Sequence, residues 1–312
     1  MTSLKSFDAD GLQFAWDATS LSSFAKCPRY YAYKHLEGWT HPNKSVHLVF
    51  GGLYATALEH YFKHRASGVD HESALRSIVH EALIETWEHE RDEDGSRIPG
   101  TGKPWDSLHN TKTRETLIRT IVWYFEQFAE DTTSTVHLAD GSPAVELSFA
   151  LPVDDGLVYC GHIDRLVTYG EHAYVMDQKT SGATLSKNFA DQFSVDYQMS
   201  GYSYAGKVIL DSPVSGVIID AAQIAVGFSR FERFFVHKPD ALLNEWYDIM
   251  LATASAARSA TREQRFIPNF ASCGNYGGCE FRKICSRSPE HRQRALDAEF
   301  VRRPRWDPLE QR

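Results

Sequence analysis

The chain has 312 residues, 42% of them hydrophobic, and a formal net charge of −8. That is enough chain for a sizeable core, and no apolar run approaches the ~18 residues of a spanning helix. No membrane association is therefore expected. The opening MTSLKSFDADGLQFAW lacks the apolar stretch of a secretory signal, so a cytoplasmic location is expected. The acidic balance argues against a broad basic surface that coats nucleic acid, because phosphate neutralisation drives such binding. Basic groups for DNA would have to be local, with Lys26, Arg29, Lys34 and the arginine-rich tail from Arg282 to Arg305 as candidates.

Taken in chain order, the N-terminal third reads as helical. Ser22 is placed to cap a helix through FAKCPRYYAYKHL, unless that helix begins at Pro28. Gly51 and Gly52 precede LYATALEHYFKH, where Leu53, Ala57, Leu58 and Tyr61 form an apolar face. Amphipathic helices follow over roughly 70–91 and 111–130. Between them, RDEDGSRIPGTGKPWDS reads as an exposed loop. From about 143 the period changes. AVELSFALPV, GLVYCGHIDRLVTY and HAYVMDQKT are β-branched and aromatic runs that predict three consecutive antiparallel strands. A helix over about 190–210, two further strands within VSGVIIDAAQIAVGFSR and FERFFVH, and a long helix over about 239–264 complete the pattern. The result is an α/β fold with a mixed central sheet flanked by helices.

The second and third strands carry the chemistry. Glycine first in the two-residue loop Gly170-Glu171 predicts a type II′ hairpin, which fixes the register so that paired residue numbers sum to 341. Asp164 then lies opposite Asp177, and His162 opposite Lys179, all on one face of the sheet. Directly opposed side chains have Cβ atoms roughly 4.5–5.5 Å apart, where like charges destabilise. A divalent cation is the simplest reason for two carboxylates there, because Mg²⁺ is commonly held by one or two carboxylates with water and phosphate oxygens. Lys179 would orient or deprotonate an attacking water, or neutralise developing charge on phosphate.

Five cysteines are present, an odd number that points away from a disulfide framework in a reducing compartment. Cys273, Cys279 and Cys285 follow a C-x5-C-x5-C spacing, with Gly274, Gly277 and Gly278 loosening the first loop. Cys27 is the natural fourth thiolate. Such a set holds either zinc or an iron–sulfur cluster. Cys160 reads as a packed thiol.

GHIDRL at 161–166 and VMDQKT at 175–180 resemble the G-x-x-D-R and (D/E)-x-K motifs of RecB-type PD-(D/E)XK nucleases. Gln198 and Tyr202 match that family's Q-x-x-x-Y helix, and LSSFAKCPRYYAYKHL resembles its opening cysteine-proline segment. The resemblance implies a restriction-endonuclease-like core, with an N-terminal helical region and a C-terminal cysteine cluster. It implies Asp164, Asp177 and the Gln178 carbonyl as ligands for Mg²⁺ or Mn²⁺, and Lys179 as the catalytic lysine. Gln198 and Tyr202 would contact DNA or buttress the site. The family's helix G-x-x-x-H-x-x-x-E aligns with FGGLYATALE, so that Ala55 stands where the family has a ligating histidine. Glu59 and His60 are the candidate substitutes. RecB-type members with one early and three late cysteines, such as AddB and the CRISPR-associated exonucleases, carry a [4Fe–4S] cluster. The resemblance therefore implies that cluster on Cys27, Cys273, Cys279 and Cys285, with zinc as the alternative.

The expected organisation is one nuclease domain over 1–312: a helical part at 20–140, the catalytic sheet at 143–240, the helix and cluster segment at 241–290, and a tail at 291–312. The expected activity is metal-dependent hydrolysis of DNA ends or single strands. The alternative is a catalytically impaired module that binds DNA or a partner protein. The chain carries no helicase P-loop, so unwinding would come from a helicase or recombination partner. Small nucleases of this family occur in phage recombination, CRISPR adaptation and DNA repair.

Overall fold

The computed structural model describes residues 6–90, 92–98 and 100–310. Parts of the expected exposed loop (Arg91 and Pro99) and the last two residues of the expected tail lie outside them. Seven strands form one mixed sheet: β1 (Ala15–Trp16), β2 (Thr133–Thr135), β3 (Val145–Pro152), β4 (Val158–Tyr169), β5 (His172–Ser181), β6 (Val214–Ile224) and β7 (Ser229–His237). The three-strand meander β3–β4–β5 is antiparallel, β5 and β6 are parallel, and β6–β7 is a hairpin. The expected α/β class and mixed sheet are present.

Helices cover both faces of this sheet. On one side lie α1 (Ala18–Lys26), α7 (Tyr197–Leu210) and α8 (Asp240–Arg262), packed on Leu166, Val175, Ile219 and Ala221. On the other lie α3 (Val46–Ala66), α4 (His71–Glu85) and α5 (Arg114–Gln127), packed on Val145, Ala222 and Ile224. The short helices α2 (Pro28–Tyr31), α6 (Lys187–Asp191), α9 (Arg282–Cys285) and α10 (Pro289–Glu299) fill the connections. A polar network ties the second layer to the sheet. Arg233 donates to Asp131 at 2.6 and 2.9 Å and to Asp220 at 3.3 Å, while Arg165 lies over the Phe62 ring at 3.7 Å. The buried charges are thus paired, as burial demands.

Two local expectations change. Asp17, not Ser22, caps the first helix, accepting from the Ser20 amide in a capping box. That helix ends at Lys26, and Pro28 opens a new turn at its N1 position, where the missing N–H costs nothing. Gly51 and Gly52 lie within α3, which begins at Val46, seven residues before the expected start at Leu53. No helix among the described residues is long and apolar enough to cross a membrane.

The turn after α2 buries His35, which is 3% exposed, stacks on Tyr31 and bonds Ser23 Oγ at 2.9 Å. Burial, aided by Lys34, pushes its imidazole down to about 4. The unfolded chain then binds the extra proton, so this contribution is complete above pH ~6.5 and is lost as pH falls toward 4, on the order of 3 kcal/mol. Thermal melting between pH 7 and 4 should show a steeper loss for the native chain than for His35→Gln.

Candidate active site

The hairpin register is as expected wherever the ladder runs: Tyr169 pairs with His172, and the pairing continues to Arg165 with Met176. Gly170 adopts φ 60° while Glu171 does not join the positive-φ residues, as a type II′ turn requires. The ladder stops one residue before Asp164 and Asp177, which corrects the expectation of a formal pair there. Instead, Asp164 Oδ2 accepts from the Gln178 amide at 2.7 Å. The side chain takes the place of a ladder bond, and the strands open into a cleft at that point.

This cleft, a cavity of about 640 Å³, is lined by Asp164, Asp177, Gln178, Lys179, Gln198, Tyr202 and His162. The sequence-predicted residues are thus brought together, apart from two. Asp177 is 1% exposed, and its Oδ2 ion-pairs with Lys179 Nζ at 2.5 Å. Lys179 Nζ also donates to Gln198 Oε1 at 3.1 Å, and Gln198 Nε2 donates to the Tyr202 hydroxyl at 3.0 Å. These two bonds fix the Gln198 amide orientation. His162 bonds Ser148 Oγ through Nδ1 at 2.8 Å.

The electrostatics follow from desolvation of like charges. Burial, then the Asp177 charge, raises the Asp164 carboxyl well above the usual carboxylate range. Burial raises Asp177 as well, with Lys179 opposing it. Burial alone would lower Lys179, but Asp177 and Asp164 together hold it as an ammonium.

Three features of the cleft were not expected. Glu146 of β3 lies between the Val145–Arg165 and Leu147–Ile163 pairs of the β3–β4 ladder, close enough to Asp164 to raise its carboxyl further, and lines the cavity. Its φ of 48° is unusual for a non-glycine residue and marks a strained, re-aimed backbone. Asp164 is therefore flanked by Asp177 on one neighbouring strand and Glu146 on the other. The link between β3 and β4 passes through a short 3₁₀ turn rather than a two-residue loop, so no turn signature announced that register. Third, the C-terminal segment folds back, and Trp306, Asp307 and Glu310 form part of the wall. Asp307 is held by the Ser6 hydroxyl.

Ala55 faces the cleft, where the resemblance puts a histidine. Glu59 and His60 do not, which corrects their assignment as substitute ligands. Glu59 ion-pairs with Lys63 at 2.5 Å and His60 with Glu81 at 2.6 Å, one turn further along α3. Among the described residues, no group of three or more His, Cys, Asp or Glu side chains is arranged to hold a metal ion by itself.

The profile of the PD-(D/E)XK nuclease superfamily matches residues 15–286. The chain belongs to this superfamily. No curated protein matches it significantly. Among solved structures, a Eubacterium rectale protein provisionally named an exonuclease is 14% identical, with 88% of this chain and 89% of that one covered and a TM-score of 0.49. The protein SSO0001 is 13% identical, with 88% and 86% covered and a TM-score of 0.33. In this PD-(D/E)XK chain the glycine of G-x-x-D has a visible reason. A Cβ on Gly161 would stand 3.1 Å from the Phe149 ring and 3.4 Å from Tyr202.

Four of the five cysteines gather away from the cleft. Cys27, Cys273, Cys279 and Cys285 line one small cavity where the two ends of the chain meet. All are free thiols. Asn269 and Ser272 donate to the Lys26 carbonyl at 3.0 and 2.9 Å, and the Asn269 amide points at Cys27 Sγ at 3.3 Å. Cys160 is buried elsewhere against the Trp16 carbonyl, as a packed thiol. The basic groups expected to meet DNA are largely engaged within the protein. Lys34 pairs with Glu280 at 3.1 Å, and Arg302 and Arg305 donate to the carbonyls of Glu37 and Leu36.

Helix α7 delivers Gln198 and Tyr202 because Gly201 lets it approach the sheet. A Cβ there would lie 1.9 Å from the Tyr159 hydroxyl and 2.8 Å from Trp246. Gly201→Ala should therefore destabilise the fold by roughly 2–3 kcal/mol, read as a lower denaturation midpoint. An unchanged midpoint would contradict this packing.

Proposed function

We propose that the cleft hydrolyses phosphodiester bonds of DNA, at ends or in single strands, with Mg²⁺ or Mn²⁺ bound by Asp164, Asp177 and the Gln178 carbonyl. One observation carries this reading: two carboxylates, Asp164 and Asp177, line one cleft with a single ammonium, that of Lys179, which ion-pairs with Asp177. Hard carboxylate oxygens suit these ions, which take their remaining ligands from water and phosphate. Glu146, on the far side of Asp164, is placed to join the set or to orient a metal-bound water. When bound, the ion would polarise the phosphate and lower the pKa of a bound water.

The protein's own groups do the rest. Lys179 Nζ, held by Asp177 and Gln198, donates to the phosphate oxygen or water as charge develops. Tyr202 buttresses Gln198 and so keeps Lys179 in place. The water oxygen bonds to phosphorus as the bond from phosphorus to the leaving sugar oxygen breaks. The water gives up one proton and the leaving oxygen gains one. Ala55 favours a second reading, a nuclease fold that binds DNA without cutting it. End-labelled single- and double-stranded DNA with and without Mn²⁺ separates the two. Cutting by the native chain, reduced ~10²–10³-fold in Lys179→Ala, is expected; identical products from both proteins would sink the enzyme reading.

For the second centre we propose a [4Fe–4S] cluster on Cys27, Cys273, Cys279 and Cys285. What supports it is the convergence of four unpaired thiols from distant segments on one cavity. Its role is to fasten the chain ends together, behind the segment that closes the cleft. Zinc is the alternative occupant. Anaerobically purified protein should be brown, with a broad band near ~400 nm that is lost in Cys27→Ala. Colourless protein containing zinc would overturn the cluster assignment.

A further inference from the structure

Beside the cleft lies a second cavity of about 330 Å³. The two share Gly51, Gly52, Ala55 and Lys179, so they form one channel under the start of α3. A Cβ at Gly52 would meet nothing within 4 Å, which leaves the passage open. Their chemistry differs sharply. Carboxylates wall the cleft, whereas the second cavity is lined by Lys112, His47 and Lys179 with no acidic side chain among its described residues.

Lys112 is the unusual group. It is 2% exposed, and its Nζ has no hydrogen-bond partner. Among the described residues, the compensation is the Phe50 ring, 4.5 Å away. Burying an unpaired ammonium is costly, and a cation–π contact offsets only part of that cost. The backbone nevertheless holds it there. His109 Nδ1 accepts from the Thr111 and Lys112 amides, both at 3.1 Å, and Ser107 donates to the Lys112 carbonyl. The His109 ring meets His47 edge-on at 5.1 Å. Burial pushes the Lys112 ammonium down to about 8, and burial with His109 and Lys112 lowers His47. The pocket thus combines a buried amine, an imidazole and the Lys179 side chain, a lining whose polar groups suit an anion.

We infer that Lys112, with His47 at the mouth, forms a phosphate subsite that holds the nucleotide next to the scissile linkage. This rests on the nuclease reading, since that reading puts a nucleic-acid strand in the adjoining cleft. The strand would run from the carboxylates past Gly51 and Gly52 to Lys112. The phosphate would be an internal diester or the terminal phosphate of a strand end.

Steady-state cleavage of short single-stranded oligonucleotides carrying 5′-phosphate, 3′-phosphate or hydroxyl ends tests this, with native, Lys112→Met and His47→Ala chains. Methionine keeps the shape and removes the charge, so Lys112→Met should melt no lower than the native protein. Its KM should rise about tenfold, with a smaller change in kcat, and the slope of log KM against log salt should fall by about 0.7. His47→Ala changes an exposed position and should raise KM about threefold, which keeps the test alive if the methionine variant folds poorly. A loss on all oligonucleotides identifies an internal diester. A loss confined to one phosphorylated end identifies a terminal phosphate. Native cleavage with KM and salt dependence unchanged in both variants overturns the subsite alone; a native chain that neither binds nor cuts DNA overturns the subsite and the nuclease reading together.

Discussion

Everything in the cleft depends on the enforced proximity of Asp164 and Asp177. Their strands pair through Arg165 and Met176 and then part, and the first residues past the last pair are the two aspartates. A side-chain-to-backbone bond from Gln178 to Asp164 replaces the next ladder bond. The carboxylates are thereby desolvated together, a combination that raises the energy of their charged forms. Lys179 relieves part of this repulsion, and Gln198 and Tyr202 hold Lys179. Glu146 adds a further negative group on the opposite strand. Such a site lowers its energy by taking up a proton or a cation.

The layers on either side explain why the proximity persists. Arg165, next to Asp164 in the chain, points to the other face and lies over Phe62 of α3. Arg233, Asp131, Asp220 and Tyr124 complete a buried ionic network there. On the cleft side, α7 is seated by the missing side chains of Gly161 and Gly201. The fold thus spends polar residues on one face to anchor the sheet that presents the carboxylates on the other. Away from the cleft, Cys27 and the segment 273–285 meet around one small cavity.

Much of this was legible in the residues because it is local. Gly170-Glu171 specified a turn, the turn specified a register, and the register put Asp164 beside Asp177. The alternation of the β3–β5 runs and the apolar faces of the helices were equally plain. What the residues did not disclose depends on contacts between distant segments. Glu146 looked like an ordinary strand glutamate, since the longer β3–β4 connection hides its register. Trp306 and Asp307 reach the cleft only because the tail folds back. Lys112 lay in what read as the start of a surface helix, and only the packing of α3 over it shows that it is buried and unpartnered. Glu59 and His60 were one helical turn from Ala55, and that turn carries them to Lys63 and Glu81 instead.

The central claim is that the two aspartates are held together for a divalent cation, at a cost to the metal-free fold. Calorimetric melting of chelator-treated native and Asp164→Asn chains, with and without Mn²⁺, tests it most directly. The metal-free variant should melt higher than the metal-free native chain, and Mn²⁺ should raise the native midpoint while leaving the variant's almost unmoved. A native midpoint indifferent to Mn²⁺, together with a variant that melts lower, would contradict it.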